Sequence, residues 1–309
     1  MHYNPLGSTG LEVSAVSFGT SPLGNMFGVA DEAAARHAIG RALDAGINVF
    51  DSSPYYGGGL AEERLGRALG GQRDHVVLAT KAGRYGLESF DFTPATIRAS
   101  LERSLRLLRV EAVDVFQLHD IEYGNLDDVF GDAYLEMVKL RDEGMCRFIG
   151  MTGYPTATLR AAVESVDLDV VLTYAHHTLL DTCLQTTLLP HARRRHVGVI
   201  NAAAVALGLL TPHGPRIDHP AGERIRAAAR DARAVCEQRG VDISFLANQF
   251  AIQRSGCSTT VIGTVNPDHL DAAVAAADTP IDEDLLHEVL DATAHVNGHC
   301  WTSGPAQTN

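Results

Sequence analysis

Eight short, nearly continuous apolar runs recur along this chain, each followed by a longer stretch with helical spacing. The runs are Ala15–Phe18, Asn48–Phe50, Val76–Ala79, Val113–Leu118, Arg147–Gly150, Asp169–Thr173, Gly198–Ile200 and Thr260–Ile262. Apolar character without alternation marks strands buried on both faces, as in parallel sheets. Between them, Asp31 caps a helix that runs to Ala45 and closes at Gly46, and Thr93-Pro94 opens another. Asp127–Glu143, Pro155–Val166, Leu180–Arg195 and Pro267–Ala277 follow the same logic, and two segments, Glu223–Arg239 and Ser244–Arg254, precede the last run. Tyr3–Leu6 and Leu11–Val13 flank Gly7 to Gly10 and predict a small hairpin. Eight strands with intervening helices give a closed barrel or a doubly wound sheet. No G-x-G-x-x-G fingerprint follows the first strand: Gly19 and Gly24 are too far apart, and Gly57 to Gly59 lead into Leu60-Ala61-Glu62. The expectation is therefore α/β: a (β/α)8 TIM barrel spanning residues 1–309 as a single domain, with a short N-terminal hairpin and extra helices.

Composition narrows the partners. Lys plus Arg is 25 and Asp plus Glu is 38, a formal charge of −13. So acidic a chain repels phosphate backbones and anionic lipid, which leaves no nucleic acid and no membrane as expected partners. The cysteines Cys146, Cys183, Cys236, Cys257 and Cys300 are scattered, odd in number and form no C-x-x-C pair. That pattern reads as reduced thiols in a cytoplasmic protein. Met1 to Gly10 carries no apolar secretory segment, and the tail after Trp301 is polar and expected to be mobile.

Three ionisable residues close three consecutive runs. Asp51 follows Asn48-Val49-Phe50, Lys81 follows Val77-Leu78-Ala79-Thr80, and His119 follows Val115-Phe116-Gln117-Leu118. In a barrel the C-terminal strand ends share one mouth, so these side chains converge there. Tyr56 lies five residues after Asp51, in a loop stiffened by Pro54 and turned by Gly57. The chemistry is coherent. An ammonium beside a phenol favours the phenolate and lowers its pKa, Asp51 can hold that ammonium, and His119 can orient a substrate oxygen. Taken singly, Asp51 reads as a helix cap, Lys81 as a solvated lysine, His119 as a structural histidine and Tyr56 as core, with Tyr55 competing for its role. The joint arrangement is the specific signal. His176-His177 resembles a metal pair, but no third ligand stands at a convincing spacing and neighbours on an extended segment point opposite ways. No metal is expected. Tyr123 and Phe90 lie in loops beyond strand ends and are candidates to line a substrate pocket.

The residues resemble the aldo-keto reductase family. The resemblance rests on Phe50-Asp51-Ser52-Ser53-Pro54-Tyr55-Tyr56-Gly57, Ala79-Thr80-Lys81, Leu118-His119, Arg147-Phe148-Ile149-Gly150, Gly208-Leu209-Leu210-Thr211 and Ile262-Gly263-Thr264. Thr80 to Gly86, His119 to Gly124 and Gly150 to Gly153 are similar to its L-galactose dehydrogenase branch, which includes L-fucose and D-threo-aldose 1-dehydrogenases and pyridoxal 4-dehydrogenase. The resemblance implies a catalytic set of Tyr56, Asp51, Lys81 and His119 and a nicotinamide dinucleotide across the mouth. It also implies cofactor contacts from Gly19, Thr20, Asp51, Thr152, Tyr174, Asn201, Gly208, Leu210, Gly263, Thr264 and His269, and substrate contacts from Tyr55, Tyr56 and His119; by position alone, Tyr123 and His177 are further candidates to touch substrate. The implied reaction is oxidation of an aldose at C1 to a lactone. A pyridoxal dehydrogenase, an NADPH-dependent aldehyde or ketone reductase and a non-catalytic nucleotide-sensing subunit are the alternatives. Departures from the family pattern are Thr152-Gly153 where Ser-Asn is frequent, Tyr174 in place of Gln, Ala202 in place of a stacking aromatic, and Ala203-Ala204 in place of Ser-Pro. The segment Gly263 to His269 holds no Arg or Lys and includes Asp268, so NAD is expected in preference to NADP. The oligomeric state is left open.

Overall fold

The apolar runs close on themselves. The computed structural model describes residues 1–304. Its strands are β1 (Tyr3–Pro5), β2 (Glu12–Ser14), β3 (Val16–Gly19), β4 (Val49–Asp51), β5 (Val77–Ala82), β6 (Val113–Leu118), β7 (Cys146–Thr152), β8 (Val170–Tyr174), β9 (Gly198–Ala202) and β10 (Thr259–Ile262). The last eight are parallel neighbours in a closed barrel, with β10 pairing back to β3. A closed ring leaves no edge strand and presents one mouth at the C-terminal strand ends.

Side chains alternate between the two faces of each strand. Val49, Val77, Ala79, Val115, Val170, Leu172 and Ile200 pack together inside the barrel. Phe50, Leu78, Phe116, Ile149, Val171 and Val199 belong to the larger cluster beneath the helices. Both faces are buried, which is why these strands read as continuous apolar runs. Leu6 and Val13 join the inner cluster, so the β1–β2 hairpin caps the barrel end opposite the mouth. Gly7, at its turn, has φ +56°, and a Cβ there would lie 2.3 Å from the Gly198 amide. Only glycine fits that close approach in that conformation.

The helices are α1 (Glu32–Asp44), α2 (Leu60–Leu69), α3 (Pro94–Leu108), α4 (Leu126–Asp128), α5 (Tyr134–Asp142), α6 (Thr156–Ser165), α7 (Leu184–Thr187), α8 (Leu189–Arg194), α9 (Glu223–Gln238), α10 (Ile243–Arg254), α11 (Pro267–Asp278) and α12 (Glu283–Thr293). Asp31 caps α1 as expected, accepting from the Ala34 amide. The sequence reading differs from the structure in five places. It passed over α2, the crossover from β4 to β5, and α12, whose Leu285, Leu286 and Val289 pack with α9 and α10 in a second cluster. The expected helix over 127–143 is interrupted by a π-helical turn, Val129–Ala133, with Gly131 outside helical geometry. The expected helix Leu180–Arg195 is two short pieces parted at Leu188, two residues before Pro190, which has no amide to continue the ladder. The tail is ordered further than expected: Ser303 is buried and donates to Glu122 Oε1 at 2.9 Å, and the positions beyond 304 lie outside the described residues. No helix among the described residues is long and apolar enough to cross a membrane.

Candidate active site

The strands run further than the apolar pattern suggested, so Asp51 and Lys81 are strand residues and not loop residues. Both share the inward parity of Val49 and Ala79 and point into the mouth. Lys81 Nζ donates to Asp51 Oδ2 at 2.6 Å and to the Ser52 carbonyl at 2.8 Å. The Gln117 amide lies 3.5 Å from Asp51 Oδ1. Asp51 is 4% exposed and Lys81 1%, so each charge relies on the other. Such a pair adds little net stability, yet removing one member strands the other in a dry environment.

Tyr56 reaches this pair because its loop is pressed onto the turn at Ser21–Gly24. A Cβ on Gly24 would sit 2.4 Å from the Tyr56 carbonyl carbon, and one on Gly57, at φ +67°, would sit 2.5 Å from the Gly24 oxygen. Two glycines back to back thus set where Tyr56 stands. The Lys81 ammonium lies 5.2 Å from the centre of its ring, and the His119 ring meets it edge-on at 5.9 Å. The ring keeps some exposure, whereas the hydroxyl is enclosed by protein. Here the acidic phenol expected from the lysine neighbour is overturned. Burial is the larger influence, Lys81 only partly offsets it, Asp51 adds to it, and the phenol is pushed up to about 12. A phenol raised that far carries its proton at neutral pH.

His119 Nδ1 lies 2.9 Å from Ser53 Oγ, which also accepts from the Tyr55 amide at 3.1 Å. The serine proton is free to go to Nδ1, which leaves the ring proton on Nε2. Burial, with Lys81 and Arg84 nearby, holds His119 well below the ordinary histidine range, so the ring is neutral. Arg84 and Asp120 form a salt bridge beside it. The Arg84 guanidinium sits 4.1 Å over the Tyr55 ring and within 6 Å of Phe90 and Tyr123, which stack on each other at 4.2 Å. Tyr55, Tyr123 and Phe90 thus gather around Arg84. Arg84 and Asp120 were missed as members of this group. Their signal was faint: opposite charges one residue after His119 and three after Lys81, in the loops that follow two adjoining strands.

The remaining candidates divide. Thr152, on β7, and Tyr174, on β8, have inward parity at the mouth, and Thr152 Oγ1 accepts from the Asp120 amide at 3.1 Å. Gly153 is explained by crowding: a Cβ there would lie 2.7 Å from Glu122 Oε2. Glu122 is itself buried and pushed up to about 7 by burial and the nearby Asp120. Gly19 and Thr20 close β3, where Thr20 Oγ1 donates to Ser52 Oγ at 2.8 Å and so braces the Tyr56 loop. Gly208, at φ +99°, Gly263 and His269 are in loops or helix starts beyond strand ends, and Thr264 Oγ1 accepts from the Asn266 amide at 3.0 Å.

Three candidates are corrected. Asn201 shares parity with Val199 and faces the helix layer, not the mouth. Leu210 is buried in the second cluster, and its amide is taken by the Val205 carbonyl at 3.1 Å. His177 is completely buried with its ring stacked on Phe250 at 4.6 Å, so no substrate reaches it. The expected opposite orientation of the two histidines is observed. His176 turns the other way, toward Asp181 and Cys183, five and seven residues on, and toward Cys300, 124 positions away and beyond any local spacing pattern.

The sequence profile of the Aldo/keto reductase family matches residues 15–292. The chain is 39% identical to L-galactose dehydrogenase of Arabidopsis thaliana, over 97% of this chain and 96% of that protein. It is 30% identical to D-threo-aldose 1-dehydrogenase of a Pseudomonas species, over 88% of this chain and 92% of that protein. Pyridoxal 4-dehydrogenase of Microbacterium luteolum is 27% identical, over 86% of this chain and 90% of that protein. In fold, the chain superposes on the holo form of an aldo-keto reductase from Bacillus halodurans with a TM-score of 0.79 at 24% identity, covering 100% of this chain and 99% of that one. With its barrel, its gathered mouth residues and a profile match across most of its length, the chain belongs to the aldo/keto reductase family.

Proposed function

We propose that this oxidoreductase is an NAD-dependent aldose 1-dehydrogenase, oxidising a sugar such as L-galactose, L-fucose or a D-threo-aldose at C1 to the lactone. Members of the family use nicotinamide cofactors. The observation that carries the reading is the Tyr56 ring standing beside Lys81, which Asp51 holds, and edge-on to neutral His119. This donor set moves a proton on and off an oxygen and holds no hydride acceptor of its own, so it fits a nicotinamide partner. When bound, that cofactor supplies the acceptor for the hydride released from C1.

The chain's own residues do the rest. His119 Nε2–H hydrogen-bonds to the C1 oxygen and orients it. Tyr56 takes the hydroxyl proton in oxidation and returns it in reduction. Lys81 stabilises the phenolate, and Asp51 keeps Lys81 charged and in place. Thr152, Tyr174, the Gly208 turn and Thr264 are the residues that would hold the dinucleotide. Arg84 and Tyr55, one stacked on the other beside His119, would meet sugar hydroxyls. The absence of Arg and Lys from Gly263 to His269, with Asp268 among them, supports NAD over NADP. Free cysteines throughout suit a reducing, cytoplasmic setting.

The test is a panel of aldoses and pyridoxal with NAD and with NADP. Turnover of a sugar with NAD is the expected result. Oxidation of pyridoxal with no sugar turned over overturns the substrate class. A kcat/KM for NADP about tenfold or more above that for NAD, or roughly 1.4 kcal/mol, overturns the cofactor preference.

A further inference from the structure

Beside the mouth, four metal-binding side chains from two distant stretches converge on one point. His176 and Asp181 follow β8, Cys183 stands just before α7, and Cys300 comes from the C-terminal segment, 124 positions beyond His176. His176 Nδ1 is 3.0 Å from Asp181 Oδ2. Cys183 Sγ lies 3.3 Å from that nitrogen and 3.1 Å from that oxygen, and Cys300 Sγ lies 3.6 Å and 3.7 Å from them. All four donor atoms fall within 4.8 Å of one another. Zinc bonds of about 2.3 Å to sulfur and 2.0–2.2 Å to nitrogen and oxygen place the corners of a tetrahedron roughly 3.3–3.8 Å apart. The cluster already approximates that figure.

The surrounding bonds point each donor inward. His176 Nε2 lies 2.6 Å from the Tyr154 carbonyl oxygen, which can only accept, so Nε2 keeps its proton and Nδ1 is the nitrogen that faces the cluster, where zinc would take the place of its proton on Asp181. Asp181 Oδ1 accepts from the Cys183 amide at 2.9 Å and the Gly298 amide at 3.1 Å, which reserves Oδ2. Cys183 is half-buried and Cys300 exposed, so an ion has a route in. Two sulfurs with one imidazole and one carboxylate favour zinc over magnesium or calcium.

We propose that His176, Asp181, Cys183 and Cys300 form a structural zinc site that ties the C-terminal segment to the loop after β8. Four protein ligands close the coordination sphere, so the site has no open position for chemistry. Binding displaces the protons that the thiols and His176 Nδ1 carry, which leave to solvent, and no electrons move. The segment held in this way carries Trp301, stacked on Tyr154 at 4.9 Å, and Ser303, bonded to Glu122 behind Gly153. Zinc therefore fixes a wall of the mouth without entering it. The inference stands whichever substrate the enzyme takes.

The experiment uses the full chain, stripped with a chelator under reducing conditions, exposed to zinc chloride and dialysed. Elemental analysis is expected to find one zinc per chain in the wild type and in Cys257→Ser, and a loss of that zinc in Cys183→Ser and Cys300→Ser. Circular dichroism checks that the variants fold. Cobalt titration of the wild type gives a second readout independent of any variant: intense tetrahedral visible bands with a thiolate charge-transfer band. Substoichiometric zinc in the wild type overturns the proposal. So does zinc retained by both serine variants, a cobalt spectrum without the thiolate band, or a Cys183–Cys300 disulfide in the reduced preparation.

Discussion

The mouth of the barrel and the cluster on its flank are both polar, buried and compact, but they are assembled in opposite ways. Asp51 and Lys81 stand on adjacent strands in chain order, and Tyr56 and His119 follow within a few residues of strand ends. Their positions come from the hydrogen-bonded ring, and Asp51 and Lys81 cannot move without disturbing β4 and β5. His176, Asp181 and Cys183 sit on irregular chain, and Cys300 on a segment that returns after the last helix. Their positions come from side-chain contacts and from the two amides on Asp181 Oδ1. A site on strands can lose a reacting group and keep its geometry. A site on loops loses its geometry along with its ligands.

That contrast is open to direct attack, beginning with the largest expected effect. Tyr56→Phe removes the proton carrier while leaving the ring's packing, so kcat should fall by about 10²–10⁴ with dinucleotide affinity and thermal stability near wild type. Near-normal turnover, measured at saturating cofactor, removes Tyr56 from the chemistry. Lys81→Met leaves the Asp51 carboxylate buried without its cation and should cost about 3–5 kcal/mol in urea unfolding. The double variant Asp51→Asn with Lys81→Met should recover part of that loss, and strict additivity would contradict the pairing.

On the flank, Asp181→Ala strands the Cys183 and Gly298 amides and should cost about 1–3 kcal/mol, read as a lowered melting temperature and faster amide exchange in the C-terminal segment. If exchange is unchanged there, the segment is held by other contacts. The pH dependence follows from Tyr56 standing near 12 and His119 well below 6.5. Oxidation uses the phenolate, whose fraction grows about tenfold per pH unit below the pKa. Its rate should therefore climb between pH 7 and 10 by roughly that slope wherever proton transfer limits it. Reduction uses the phenol, already fully protonated there, and should stay level over the same range. Level oxidation would mean that Lys81 lowers the phenol further in the working complex than in this structure. The smallest effect is at Arg84→Lys, which keeps a cation for Asp120 but loses the planar contact with Tyr55. A cation–π term of about 0.5–1 kcal/mol corresponds to a two- to five-fold rise in sugar KM with kcat little changed.

Much of the mouth was legible in the chain because a strand writes itself locally. Apolar runs of β-branched residues announce burial on both faces, and the polar residue that ends each run is then an exception worth reading. Asp51, Lys81 and His119 were visible for that reason, and the spacing to Tyr56 followed. Arg84 and Asp120 escaped because a charged residue in a loop looks solvated until its partner is known. Asn201 misled because inward or outward facing turns on a one-residue register, which strand period alone does not anchor. His177 misled because nothing local distinguishes a histidine facing a mouth from one stacked beneath a helix.

What the sequence by itself determined is the order and period of the elements, and with them which residues end neighbouring strands. Periodicity acts over a few residues, so it is written into any stretch of chain. Only the tertiary structure decided the sign of the Tyr56 shift, because enclosure of one hydroxyl depends on every element that crowds it and outweighs a single favourable charge. Only the tertiary structure brought Cys300 to His176, because closure of the ring and the return of the last segment depend on packing summed over the whole barrel.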